Sequence, residues 1–423
     1  MNVQQTRHQR QPLPEQFCQV DRLIHAMSSR NIDALVVTSA LNMFYLSGFT
    51  GIAHKSDEPR PYALVFSRHD PAHPIAIVAD YYVSTMLAQP SWVKDIRSFR
   101  AVMMPMDIAP TPDDIDRFVP HEHQSITASL RSNHANGLNE ACTRALNDLH
   151  LTAKRVGFDD MRFGFQLNAD SMTVVDAYDA MMFARAVKTP FEIGKLKAAT
   201  ALNEAAINTA VGSWEKGTSW RELNHRYHMA VAQLGGFVRD PGGMVWGHPR
   251  GTDSAITLDT GLDDFEIAEG SNMMFDCHGT LDMYCWDGGK TWTVGGPPSG
   301  ERAKRTAAVR NAAEAVINAM KPGTRISQLQ ATGRKAFRDS GVPDADSALI
   351  FFHGLGLSHM DVEQKLADGN ANTDWTLEEN MVVPLHILYP GDEQHRAWVE
   401  EIAQITPSGG QPYFSWGFDP MPG

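Results

Sequence analysis

The stretch Phe275-Asp276-Cys277-His278-Gly279, which runs on to Tyr284-Cys285-Trp286-Asp287-Gly288-Gly289-Lys290-Thr291-Trp292, sets two carboxylates eleven residues apart. Met273-Met274-Phe275 leads into the first acid and Tyr284-Cys285-Trp286 into the second, so each closes a strand-like apolar run. Two antiparallel strands joined by a turn at Gly279 would bring Asp276 and Asp287 to one point, with Asp282 solvated in the turn. Carboxylates gathered at one point repel each other unless a cation holds them. Acids that abut apolar strand residues are seldom buried unless paired or bound to metal.

A second half of the same constellation lies downstream. His353 follows Leu349-Ile350-Phe351-Phe352 and precedes Gly354-Leu355-Gly356-Leu357, an apolar strand that delivers an imidazole into a glycine-flanked turn. Small neighbours leave such a ring open to a cation. His359, six residues on, is a candidate for orienting substrate or moving protons. Glu400 and Glu401 end the run Arg396-Ala397-Trp398-Val399. Strand alternation turns only one of them inward and does not choose between them. Two Asp, one His and one Glu form a mixed set that suits Mn, Fe, Co or Zn.

Composition narrows the class. The chain has 423 residues, 43% hydrophobic and 21% charged, ordinary values for a globular protein and enough for two domains. A formal net charge of -13 disfavours nucleic acid and anionic membrane surfaces as partners. No apolar run approaches the roughly 18 residues of a membrane span. The N-terminal residues are basic without an apolar core, which argues against a secretory signal and for a flexible arm over residues 1–15. Cys18, Cys142, Cys277 and Cys285 show neither finger nor disulfide spacing, so reduced thiols and a cytoplasmic location are expected.

From about residue 16 to 170, strand-like segments alternate with helical ones, the pattern of an α/β domain. Strands are predicted at 33–38, 62–66, 74–78 and 155–158. Thr189 with Pro190 and Glu192 then reads as the start of a long helix to about residue 211. Further helices are predicted at 219–234, 301–320 and 326–340, with strand-rich stretches at 271–296 and 380–406. Helix pairs followed by strands suggest an antiparallel sheet with helices on one face. The aromatic tail, Tyr413 to Phe418, is expected to dock on the core.

The order Asp, eleven residues, Asp, then HGLGLSH at 353–359, then a Glu in a late strand resembles the pita-bread metallohydrolases, which include prolidase, aminopeptidase P and creatinase. Arg60-Pro61-Tyr62-Ala63-Leu64-Val65 is similar to the corresponding segment of creatinase. The resemblance implies an α+β fold class: a C-terminal pita-bread (creatinase/aminopeptidase) catalytic domain at 171–423 and an N-terminal α/β creatinase-type domain at 16–170. It places metal ligands at Asp276, Asp287, His353 and Glu400, and favours Glu400 over Glu401. One departure stands out. In Met381-Val382-Val383-Pro384-Leu385-His386, His386 takes the position of a family Glu. An imidazole can also bind a transition metal, with one negative charge fewer, so one or two divalent ions (Fe, Mn, Zn or Co) are expected.

His359, His278 and His248 are the candidate proton carriers: His278 shares a strand face with Asp276 and could add a ligand or carry a proton, and His248 falls near the region where the family keeps a catalytic His. Arg60 would clamp a substrate carboxylate across a homodimer that brings one subunit's N-terminal domain near the other's active site. Trp292 is the second expected substrate contact. The implied reaction is hydrolysis of a C–N bond in a small acidic or zwitterionic substrate, an amidino or amide compound or an Xaa-Pro dipeptide. A second resemblance, to the dimethylsulfoniopropionate lyases of this fold, rests on Phe275-Asp276-Cys277-His278, His353 to Leu357 and Phe418-Asp419-Pro420. There His359 stands where those lyases carry Asp. A third reading, an inactive ligand-binding relative, draws only on His386.

Overall fold

The computed structural model describes residues 12–51, 61–101, 112–167, 171–246, 264–392 and 394–422. The chain divides into two compact units: Gln11–Arg185 with Glu363–Asn372, and Ala186–Val362 with Thr373–Gly423. Residues 171–185, given to the catalytic domain by the sequence reading, thus group with the N-terminal unit. No helix among the described residues is long and apolar enough to cross a membrane.

The N-terminal unit is built on a six-stranded mixed sheet. Its strands are β1 (Ala34–Val37), β2 (Tyr62–Ser67), β3 (Ile75–Ala79), β4 (Asp95–Phe99), β5 (Arg155–Phe158) and β6 (Thr173–Asp176), in the order β4-β3-β2-β1-β5-β6. β1, β2 and β3 are buried along their whole length, which explains why short β-branched runs give them away in the sequence.

The second unit carries a nine-stranded sheet. It comprises β7 (Phe237–Trp246), β8 (Asn272–Leu281), β9 (Tyr284–Trp286), β10 (Gly289–Thr293), β11 (Leu349–Phe352), β12 (Val382–Tyr389), β13 (Ala397–Thr406), β14 (Gly409–Pro412) and β15 (Met421–Pro422). The main path is β11-β12-β13-β10-β8-β7. Alternation decides what each face does. Met273, Phe275 and Cys277 of β8 and Trp292 of β10 pack with the helices Pro190–Gly212 and Trp220–Gln233 in one apolar cluster. Val383, Leu385 and Ile387 of β12, with Val399 and Ala403 of β13, pack with the helices Gly300–Ala319 and Ile326–Asp339 in another. The residues between them, including Asp276, His386 and Glu400, turn to the opposite face.

The hairpin between the two acids differs from the expectation. Its turn is Asp282-Met283, both at positive φ (49° and 77°), and β8 continues through Gly279, which pairs with Trp286. Gly279 is needed there because a Cβ would lie 2.0 Å from the Trp286 ring. Asp282 is not solvated either: Lys195 Nζ stands 2.7 Å from its Oδ2.

The long helix begins as the sequence implies, with a capping box in which Thr189 N–H donates to the Glu192 carboxylate at 2.8 Å. Burial pushes the Glu192 carboxyl up to about 7, against the pull of the Lys188 charge and the Thr189 hydrogen bonds. A raised carboxyl binds its proton more tightly folded than unfolded. Its contribution to stability is therefore fullest below its ordinary value of 4.5 and is lost as pH rises to about 7. Glu192→Gln is expected to remove that slope from a denaturation series across this window. An unchanged slope would refute the assignment.

Candidate metal centre

The site is assembled on the sheet face that the helices leave uncovered. Asp276 and His278 are two residues apart on β8 and share a face. Asp287 sits in the Asp287–Gly288 link between β9 and β10, fully buried. Its Oδ1 accepts from the Gly288 N–H at 2.8 Å. Gly288 has φ 87°, and a Cβ there would press on Glu400 at 3.0 Å, so the glycine lets Glu400 approach Asp287. His386 and Glu400 are direct cross-strand partners of β12 and β13. His353 follows β11.

Four buried side chains, Asp287, His353, His386 and Glu400, offer ligand atoms that all lie within 4.8 Å of one another. A second group, His278, Asp287 and His359, meets the same limit and shares Asp287. His353 Nε2 is 3.2 Å and His359 Nε2 is 2.7 Å from Asp287 Oδ2, and His386 Nε2 is 2.8 Å from Glu400 Oε1. Yet Asp287 Oδ2, His353 Nε2, His359 Nε2, His386 Nδ1 and both Glu400 oxygens are buried without a hydrogen-bond partner. Each such orphan costs about 1–3 kcal/mol, so a cluster of them calls for a shared partner. His353 is already oriented for that partner. Its Nδ1 lies 3.0 Å from the Gly354 carbonyl, which can only accept, so Nδ1 carries the proton and Nε2 presents its lone pair. Two carboxylates and two imidazoles fit a divalent transition-metal ion.

The electrostatics point the same way. Burial works to raise the Asp287 carboxyl, but His353 and His359 beside it prevail and hold it well below the usual range. Burial, with the charges of Asp287 and Asp276, pushes Glu400 well above it. Burial drives His386 well below the ordinary imidazole value, which leaves it neutral and able to coordinate.

Asp276 stands beside this cluster and joins neither group; its Oδ1 is hydrogen-bonded to His278 Nε2 at 3.1 Å. His359 has a side chain 44% exposed and reaches from the rim. Glu401, the alternative left open by periodicity, faces away and accepts from the Tyr413 and Phe414 N–H groups, holding down the C-terminal tail. Trp292 faces away from the site: it is 0% exposed, edge-on to Trp214 at 5.9 Å in the helix-facing core. Its neighbour Thr291 pairs with Met274 on the site face, so parity sends Trp292 the other way. Arg60 and His248 lie outside the described residues.

Sequence reasoning missed an apolar wall along the cluster. Met274, Leu388 and Trp398 pack together, and Phe351 stacks on His386 with ring centroids 4.2 Å apart. The signal was present, because Met274, Leu388 and Trp398 share strand parity with Asp276, His386 and Glu400.

Residues 194–407 match the profile of metallopeptidase family M24. The chain belongs to metallopeptidase family M24. Residues 19–170 match the creatinase/prolidase N-terminal domain. An uncharacterised peptidase of Staphylococcus aureus (strain MSSA476) is 21% identical over 379 residues, spanning 88% of this chain and 92% of the relative. Among solved structures, the Xaa-Pro dipeptidase from Bacillus anthracis superposes with a TM-score of 0.68 at 18% identity, covering 95% of this chain and 98% of that one. The X-Pro aminopeptidase from Thermotoga maritima MSB8 gives 0.64 at 17% identity, covering 95% and 99%. The prolidase from Pyrococcus furiosus gives 0.63 at 15%, covering 92% and 98%. These likenesses show the shared two-domain, pita-bread fold. The M24 match makes the protein a metallohydrolase, and none of the named relatives is a lyase.

Proposed function

We propose that this M24 protein hydrolyses the C–N bond of a small acidic or zwitterionic compound, with an Xaa-Pro dipeptide as the first substrate class to try. The convergence of buried, unpartnered ligand atoms from Asp287, His353, His386 and Glu400 carries the reading. Those four residues would hold a divalent Mn, Fe, Co or Zn ion. When bound, such an ion lowers the pKa of water toward neutrality and polarises a scissile carbonyl. The chain supplies the rest. His359, half exposed at the rim with Nε2 at 2.7 Å from Asp287, would carry a proton between the site and solvent. Met274, Leu388, Trp398 and Phe351 form an apolar wall that suits the ring or aliphatic part of a substrate and excludes water from that side. Trp398 is fixed for this by its Nε1–H, which donates to the Phe275 carbonyl at 3.0 Å. The reading extends to a cytoplasmic homodimer in which Arg60 of one subunit meets the substrate carboxylate in the other.

Xaa-Pro dipeptides, with creatine as an amidino comparison, are assayed with protein loaded separately with Mn, Fe, Co and Zn. Metal-dependent release of proline, abolished by chelator and restored by the ion, is the expected result. Full activity in chelated, metal-free protein, or no C–N hydrolysis with any ion, would refute the proposal.

A further inference from the structure

We infer that each subunit holds one resident divalent ion, at Asp287, His353, His386 and Glu400, and that the imidazole of His278 fills the position a second ion would take between Asp276 and Asp287. The inference deepens the metal-centre reading above and departs from the two-ion centre of M24 enzymes.

His278 spans the two acids through both of its nitrogens. Nε2 lies 3.1 Å from Asp276 Oδ1, and Nδ1 lies 3.4 Å from Asp287 Oδ1. Each ring nitrogen faces a different carboxylate, whereas an ion shared by them would need an oxygen of each at about 2.0–2.2 Å. The position follows from the sequence: two residues beyond Asp276 on a strand, a side chain returns to the same face. Asp287 is committed in the same sense. Its Oδ1 already receives the Gly288 N–H at 2.8 Å, and only Oδ2 lacks a partner.

Charge leads to the same count. Asp287 and Glu400 supply two negative charges, which balance one dication. His386 adds a nitrogen ligand where a carboxylate would have added a third charge. A second dication would have to draw on the charge of Asp276. Asp276 instead engages His278, and it belongs to neither convergent group of ligand atoms.

The test is a metal count that makes no use of turnover. Chelator-stripped protein is loaded with excess Mn(II), Co(II) or Zn(II) in turn, passed through a desalting column, and assayed by mass spectrometry for ions per chain. The expected result is about one ion per chain, with an isolated-ion electron paramagnetic resonance spectrum for Mn(II). His278→Gly opens the space between the two acids and is expected to raise the count to about two, with a coupled-pair spectrum. About two ions in the unaltered protein would overturn the inference. A count that stays at one in H278G would overturn the part given to His278. Hydrolysis of a peptide bears on the proposed function alone, so either reading can fail without the other.

Discussion

Glu400→Gln is expected to lower kcat/KM by about a thousandfold, roughly 4 kcal/mol of transition-state stabilisation, while the metal-free protein becomes more stable. The two effects have one cause. Glu400 is buried beside Asp287 and Asp276, and burial together with those charges pushes its carboxyl well above the usual range. Without a cation, a neutral amide is the easier group to bury there, so thermal unfolding of the stripped variant should shift upward. With a cation, the amide offers one neutral oxygen in place of an anionic ligand, so affinity for the ion falls. Activity and metal-free stability therefore move in opposite directions, and the gain in melting temperature on adding metal shrinks. A variant that loses stability without metal and keeps its turnover would show that Glu400 is an ordinary structural acid.

The second large effect is expected at Asp361, which sequence reasoning overlooked. Its carboxylate is fully enclosed and organises the loop between His353 and His359. Oδ2 accepts from the Leu357 N–H at 3.1 Å, Oδ1 accepts from the Ser358 hydroxyl at 2.5 Å, and Lys188 Nζ stands 3.3 Å from Oδ2. The loop wraps so closely that a Cβ on Gly356 would meet Oδ2 at 2.0 Å, and one on Gly354 would meet the Asp361 carbonyl oxygen at 2.3 Å. The glycines of the HGLGL run thus make room for Asp361, a different reason from the open approach to a cation that the sequence implied. Removing one partner of a buried ion pair leaves the other uncompensated, at a cost of about 3–5 kcal/mol. Asp361→Asn is expected to lose stability of this order in urea denaturation, and turnover should also fall as the two histidines drift. Lys188→Met should cost a similar amount, and the double variant less than the sum of the two. A loss below about 1 kcal/mol for D361N would remove the pair from this role.

What the sequence disclosed and what it concealed follow from how local each signal is. The capped helix from Pro190 was legible because its cap, first-turn proline and Glu192 lie within four residues. Strands β1, β2 and β3 were legible because burial along their whole length demands unbroken apolar runs. The hairpin turn was misplaced because Gly279 looks like a turn residue, although the steric demand it answers comes from Trp286, seven positions on. β7 was missed altogether: its Arg239-Asp240-Pro241-Gly242-Gly243 interrupts any apolar pattern, and the register with β8 shifts between Val238 and Gly243.

In the site, Asp287 and His353 stood out as polar groups at the ends of apolar runs. Choosing Glu400 over Glu401 needed the family pattern; in the structure, pairing with His386 sets Glu400 on the site face while Glu401 holds the tail. Trp292 was misread because strand parity had not been carried past Gly288 and Gly289 into β10. The Lys188–Asp361 pair was invisible for a simpler reason. Its partners are 173 residues apart, and nothing local to either announces the other.

Crystals of the Mn- or Zn-loaded protein, with diffraction data collected across the metal's absorption edge, test the central claim most directly. The predicted result is an anomalous peak about 2.0–2.3 Å from the side chains of Asp287, His353, His386 and Glu400 together. A fully loaded crystal whose peak lies away from those four residues, or that shows no peak, would contradict it.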